Sequence, residues 1–218
     1  MKNKFSILFA LLALGVMSCD LGDDPADGGT ATEAVAGEYF TQLFDTIGGS
    51  VLVDYSLVTI SNTAANTDNQ IRINDNENVW GFNSVFNVNL ADSTFSGEKA
   101  VSATYEKPAL RPYLPVGTLV TVGADYPKYM TITGGRIFGG VAHVPSGTTA
   151  DSIAFSATAL YYLSTFEVVA WKIDTISKDP VKLDTSNVFQ YIEEVEDGPD
   201  GPYFLSGYRR TGFLEDEH

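Results

Sequence analysis

From residue 35 onward, apolar and polar positions alternate with a period of two rather than the 3.6 of a helix. The clearest run is 82–90, where Phe82, Phe86, Val88 and Leu90 share one face and Asn83, Asn87 and Asn89 the other. Successive side chains of a strand point to opposite faces, so this run reads as a half-buried strand. Gln70-Ile71-Arg72-Ile73-Asn74 alternates in the same way, and a β-rich run covers 51–61. Further strands are expected over 37–44, 94–105, 118–122, 129–132, 136–141, 153–160, 165–173 and 203–208. Turn chemistry separates them: Gly48-Gly49, 66–69, Asp75-Asn76-Glu77-Asn78, Gly134-Gly135, Pro145-Ser146-Gly147 and Asp197-Gly198-Pro199-Asp200-Gly201. No segment sustains a capped helical period, and only 181–194 has room for one short helix. Many short antiparallel strands joined by tight turns predict an all-β barrel or sandwich, and full closure of the sheet removes its exposed edges.

The N-terminus follows a different rule. Lys2 and Lys4 precede an apolar stretch from Phe5 to Val16, about a dozen residues, too short to span a bilayer as a helix. Val16-Met17-Ser18-Cys19 then resembles a lipobox. That resemblance implies cleavage before Cys19, the only cysteine, and acylation at that residue, an anchor that holds a protein stably at a membrane. Residues 20–33 are rich in Asp, Gly, Thr and Ala and have little to bury, as expected of an acidic tether. The expected organisation is a signal peptide over 1–18, the tether over 19–33 and one β-barrel domain over 34–218. The acidic residues after Cys19 resemble surface-export signals of Bacteroidetes lipoproteins, whereas Asp20 alone resembles an enterobacterial inner-membrane retention signal. The favoured expectation is the outer membrane, at the cell surface.

Composition narrows the function classes. With 13 basic and 28 acidic residues the chain carries a net charge of −15, which repels phosphate backbones and argues against nucleic-acid partners. It also repels anionic headgroups, so membrane attachment falls to the acyl chains. Hydrolytic chemistry finds little support. The mature chain has only His143 and the terminal His218 to act as a histidine base, and no Gly-x-Ser-x-Gly elbow. Two histidines and no free thiol leave too few ligands for zinc. The oxygen-rich segments 74–78 and 193–200 make calcium the one candidate cofactor, although neither has EF-hand spacing.

Thirteen Phe, eleven Tyr and two Trp furnish a core, and some of them would line a cavity if the barrel holds a small apolar ligand. Tyr39, Trp80 and Trp171 are the candidate ligand contacts. The alternative for the two tryptophans is exposure, for a glycan or a protein partner.

The segments Thr59–Thr67, Ile71–Asp75, Phe86-Asn87-Val88 and Ser93–Ser96, and above all Ser206-Gly207-Tyr208-Arg209-Arg210-Thr211-Gly212-Phe213-Leu214-Glu215-Asp216, resemble a Bacteroidetes lipoprotein family, the lipid-binding putative hydrolases. The resemblance implies a calycin- or lipocalin-like antiparallel barrel of about eight to ten strands. Calycins open on Gly-x-Trp, with an arginine from the barrel's end stacked on the tryptophan. Gly37-Glu38-Tyr39 resembles that opening with tyrosine in place of tryptophan, and Arg209 or Arg210 would supply the cation. Pairing of these arginines with Glu215, Asp216 and Glu217 is the equal alternative. Three functions stay open: binding of a small apolar, lipid-like ligand in the barrel, an accessory role in a surface uptake or adhesion complex with a filled barrel and the stretch 160–202 as contact surface, and weak hydrolysis.

Overall fold

The alternation read at 82–90 is the lumen face of a barrel. In a computed structural model, which describes residues 29–108, 114–174 and 184–218, Phe82, Ser84, Phe86 and Val88 are all buried while Asn87 and Asn89 face solvent. The side chains of 171–174 and 184–187 fall outside this description. The strands are β1 (Gly37–Phe44), β2 (Val51–Asn62), β3 (Gln70–Asn74), β4 (Asn83–Asn89), β5 (Thr94–Val101), β6 (Leu119–Gly123), β7 (Tyr129–His143), β8 (Thr149–Asp174) and β9 (Asp184–Arg209). Eight of them close a ring in the order β8-β7-β5-β4-β3-β2-β1-β9, with β9 returning to β8. Every pairing is antiparallel. The fold is therefore all-β, with a calycin-like barrel at its centre. The folded unit begins at Ala31, so the last residues of the expected tether belong to it. Cys19 and residues 20–28 lie outside the described residues.

Three expectations are corrected. The run 181–194 is not a helix: from Asp184 it is the start of β9, whose Val188, Phe189 and Tyr191 pair with β8. Residues 181–183 lie outside the described residues. Asp197–Gly201 is not a turn between strands either. β9 continues through it, with Gly198 opposite Tyr161 and Asp200 opposite Ala159. Register shifts on either side absorb the extra residues, and Gly198 and Gly201 take the positive φ values, +99° and +117°, that such bulges need. Likewise 129–132 and 136–141 are one strand, β7, with a register break between Thr133 and Arg136 at the Gly134-Gly135 pair.

Beyond the ring, β8 and β9 run on together as a two-stranded arm, and β6 adds a third strand along β8 from Leu163 to Glu167. The stretch 160–202, singled out in the sequence, is mostly this arm.

The barrel closes because β9 fits between β1 and β8. Gly207 pairs with Thr41 on one side and Ile153 on the other. A Cβ built on Gly207 would lie 1.8 Å from the Phe40 carbonyl oxygen, so only glycine allows this approach. The C-terminal segment then fastens the seam from outside. Tyr208 packs with Phe40, Val144 and Ala150, and His218 stacks on Tyr55 at 4.1 Å. Asp216, 1% exposed, accepts from the Ser146 N–H at 2.7 Å, the Ser146 hydroxyl at 2.8 Å and the Thr211 hydroxyl. Burial pushes its carboxyl up, but these donors outweigh burial and hold it below the usual range.

Gly207→Ala should cost about 2–3 kcal/mol in urea unfolding, because backbone rather than a pliable side chain must move; a loss under about 0.5 kcal/mol would contradict this packing. Asp216 contributes stability above the ordinary aspartate range, and that contribution disappears as pH falls through its depressed value. Acid titration of wild type against Asp216→Asn should show the stability difference shrinking only there, and a gap independent of pH would be the contrary result.

Candidate binding surface

The lumen is filled. Tyr39, Leu43, Val58, Ile60, Ile71, Ile73, Phe86, Met130, Ile132, Ile153, Phe155 and Leu205 converge in one cluster, each at most 5% exposed. Burying each large side chain contributes about 1.5–3 kcal/mol, so this packing supplies much of the fold's stability. Both ends of the ring are covered as well.

At one end, the turn 31–35 crosses the opening. Val35 and Ala36 N–H groups both donate to the Thr32 carbonyl at 3.0 Å, and the Tyr39 hydroxyl donates to the Val35 carbonyl at 3.0 Å. Burial pushes the Tyr39 phenol up to about 12, partly offset by the Arg209 charge, so it stays a donor. Arg209 lies across Gly37: a Cβ there would stand 2.8 Å from its Nε. Its guanidinium donates to the Ala36 carbonyl and pairs with Asp151 at 3.2 Å. Gly37, Tyr39 and Arg209 thus meet at the barrel's end, with the guanidinium over the glycine rather than stacked on the ring. Arg210 takes the other role, pairing on the surface with Glu38 at 2.7 Å and Glu217 at 2.8 Å.

At the other end, the turn between β3 and β4 folds inward around Asp75. This carboxylate is fully buried and accepts from the Trp80 N–H at 2.8 Å and the Gly81 N–H at 2.9 Å. Burial raises its pKa against these donors. Trp80 is carried over the lumen, 5% exposed. Its indole N–H donates to Asp200 of β9 at 3.0 Å, and its ring lies 6.0 Å from that of Tyr203.

Tyr39 and Trp80, two of the candidate ligand contacts, are both buried in this core, one towards each end of the ring. Trp171 pairs through its backbone with Asn187 far out on the arm, and its side chain lies outside the described residues. Several carboxylates of the oxygen-rich segments have protein partners. Asp75 is spent on backbone donors, while Glu194 and Asp200 of β9 bond Lys128 and Trp80 respectively. Among the described residues no three metal-ligating side chains gather.

The remaining chemistry sits where the arm leaves the barrel. Glu194 bonds both Lys128 and the Tyr105 hydroxyl, and Lys128 lies 4.6 Å from the Tyr162 ring and 5.6 Å from those of Tyr105 and Tyr129. Burial pushes Glu194 up, but its two donors prevail and hold it ionised. The Glu194 bond keeps Lys128 cationic. Burial and Glu194 together raise the Tyr105 phenol. Ser164 lies beside Tyr105 but is fully buried, and its hydroxyl makes no bond of good geometry. Tyr105 keeps its proton at neutral pH, and Glu194, opposite Ser164 across β8 and β9, is engaged by Lys128 and Tyr105. His143 is exposed at the end of β7, with no serine or carboxylate bonded to it among the described residues. The cluster is a strut that stiffens the arm's root. Sequence reading missed it because its members lie 23–89 residues apart, and only the aromatic setting of Lys128 in Tyr126-Pro127-Lys128-Tyr129 hinted at it.

The lipid-binding putative hydrolase family matches residues 24–214. The chain belongs to this family. No curated protein matches it. The family's description points to an apolar ligand; two grooves lined by described residues lie outside the packed lumen. One, of about 360 Å³, opens between β4, β5 and β7. Another, of about 370 Å³, lies between the start of β8 and Arg209–Thr211. Exposed apolar side chains stand on the arm, at Leu119, Val169, Val188, Tyr191, Ile192 and Val195, and also elsewhere, among them Ile47, Val51 and Leu52 around the β1–β2 hairpin and Phe213 and Leu214 near the C-terminus.

Asp75→Ala should destabilise by about 2–4 kcal/mol, since it leaves the Trp80 and Gly81 N–H groups buried without an acceptor. Asp75→Asn keeps one acceptor oxygen and should cost about 1 kcal/mol. Equal losses in thermal unfolding would contradict the role assigned to the carboxylate.

Proposed function

We propose that this is a lipid-anchored, non-enzymatic interaction protein of the outer membrane, displayed at the cell surface, which recognises its partner with the arm rather than in the barrel. The observation that carries the reading is that the lumen is packed with side chains, while the arm projecting from it carries a run of exposed apolar side chains, Val188, Tyr191, Ile192 and Val195, along one strand. A barrel that spends its interior on its own stability presents recognition on what projects from it. Cys19 supplies the anchor in this reading, and residues 20–30 the spacer.

A second reading, binding of a small apolar ligand, draws on the family's description and on the aromatic end of the barrel. Trp80, Tyr161 and Tyr203 adjoin there, and a ligand would enter by displacing the Trp80 turn.

Native mass spectrometry of the full chain from membranes separates the two. The expected result is a mass carrying acyl chains on Cys19, lost in Cys19→Ser, with no second small molecule in stoichiometric amount. A stoichiometric apolar molecule that survives in Cys19→Ser would overturn the first reading and support the second.

A further inference from the structure

We propose that the outer edge of β9 on the arm is a strand-addition site for an extended segment of a partner protein in which apolar residues alternate with lysine or arginine. The proposal rests on the arm being the recognition element and names what it recognises.

β9 has two partners over Phe204–Tyr208, β1 and β8. Over 188–199 it has only β8, so among the described residues its second row of backbone donors and acceptors is unpaired. Such an edge is a template for another strand. The side chains along it give the occupant's character. Val188, Ile192 and Val195 are 40–51% exposed and offer apolar contacts beside the backbone row, while the Tyr191 ring already carries the Lys107 ammonium at 3.8 Å. Between them stand acids. Glu193 and Asp197 have no ion-pair partner among the described residues, and Glu196 has only an exposed pair with Lys99 at 3.7 Å.

A second copy of this chain is a poor occupant. Antiparallel self-pairing centred on Val195 sets Glu193 against Asp197 and Glu194 against Glu196, and like charges directly opposite are destabilising. The same acids attract a cationic strand and steer its approach. Register shifts opposite Phe166 and Tyr162 bracket a regular run, Glu193–Glu196, so the added strand is short and centred there. The Glu194 strut to Lys128 and Tyr105 holds this run rigid, which lowers the ordering cost of docking.

The test uses the full chain with three short peptides: alternating lysine and valine, the same peptide N-methylated at alternate amides, and alternating glutamate and valine. Binding is read by fluorescence anisotropy, with hydrogen exchange to locate it. The expected result is saturable binding of the first peptide alone, about tenfold weaker to Glu193→Lys/Asp197→Lys, with new amide protection confined to 192–198. Those two side chains are exposed and unpaired, so the variant keeps the wild-type melting temperature. Equal binding of the methylated peptide would show charge attraction without strand pairing and overturn the proposal, as would no binding at all. Protection on β6 or around Val169 instead would reject the edge while keeping the arm as the recognition element. Protection at the Trp80 turn would reject both.

Discussion

Everything in this molecule depends on one strand reaching two neighbours. β9 comes from the far end of the chain and joins β1, the first strand, to β8. Without that seam the sheet is an open, strongly curved sheet with two long edges and a core exposed between them. With it, the apolar face of each ring strand turns inward and the ring has no edge. The seam needs Gly207, whose Cα passes so close to the Phe40 carbonyl that no side chain fits. Outside it, Tyr208, Asp216 and His218 bind the C-terminus to the β7–β8 hairpin and to Tyr55.

Closure determines where function can reside. A ring of eight strands encloses just enough space for side chains to fill or for one small ligand. Here Phe82, Phe86, Phe155, Tyr39 and the aliphatic residues around them fill it. The two ends are held by different devices, a turn bonded to Tyr39 and Arg209 at one and a buried carboxylate that folds Trp80 inward at the other. In this arrangement side chains rather than open space occupy the lumen. β8 and β9 outrun the ring, and where β9 leaves β1 behind it has an edge the barrel no longer protects.

The sequence disclosed the period-two elements well, because alternation reports directly which side chains face a core. β1 and β3 have the limits that Gly37–Phe44 and Gln70–Asn74 suggest, and Phe86 and Val88 do face inward. It misled where the deciding partner is distant. Residues 184–194 have no strong local preference, and β8 makes them a strand. Asp-Gly-Pro-Asp-Gly reads as a turn because bulges and turns draw on the same residues. Alternation also does not say whether a lumen is full, so Tyr39 and Trp80 looked as much like ligand contacts as like core. Asp75 stands in an oxygen-rich segment, and alternation did not show that it accepts from the backbone N–H groups of Trp80 and Gly81.

The seam itself is the point to probe. Native-state hydrogen exchange in rising denaturant should show the amides of β1 that bond β9, within Tyr39–Phe44, exchanging only through global unfolding, with the same denaturant dependence as the amides of β3 and β4. If those β1 amides exchange by a low-energy opening insensitive to denaturant while β3 and β4 stay protected, the barrel parts between its first and last strands. A lumen that opens in that way is accessible, and the filled, closed barrel on which this account rests would be contradicted.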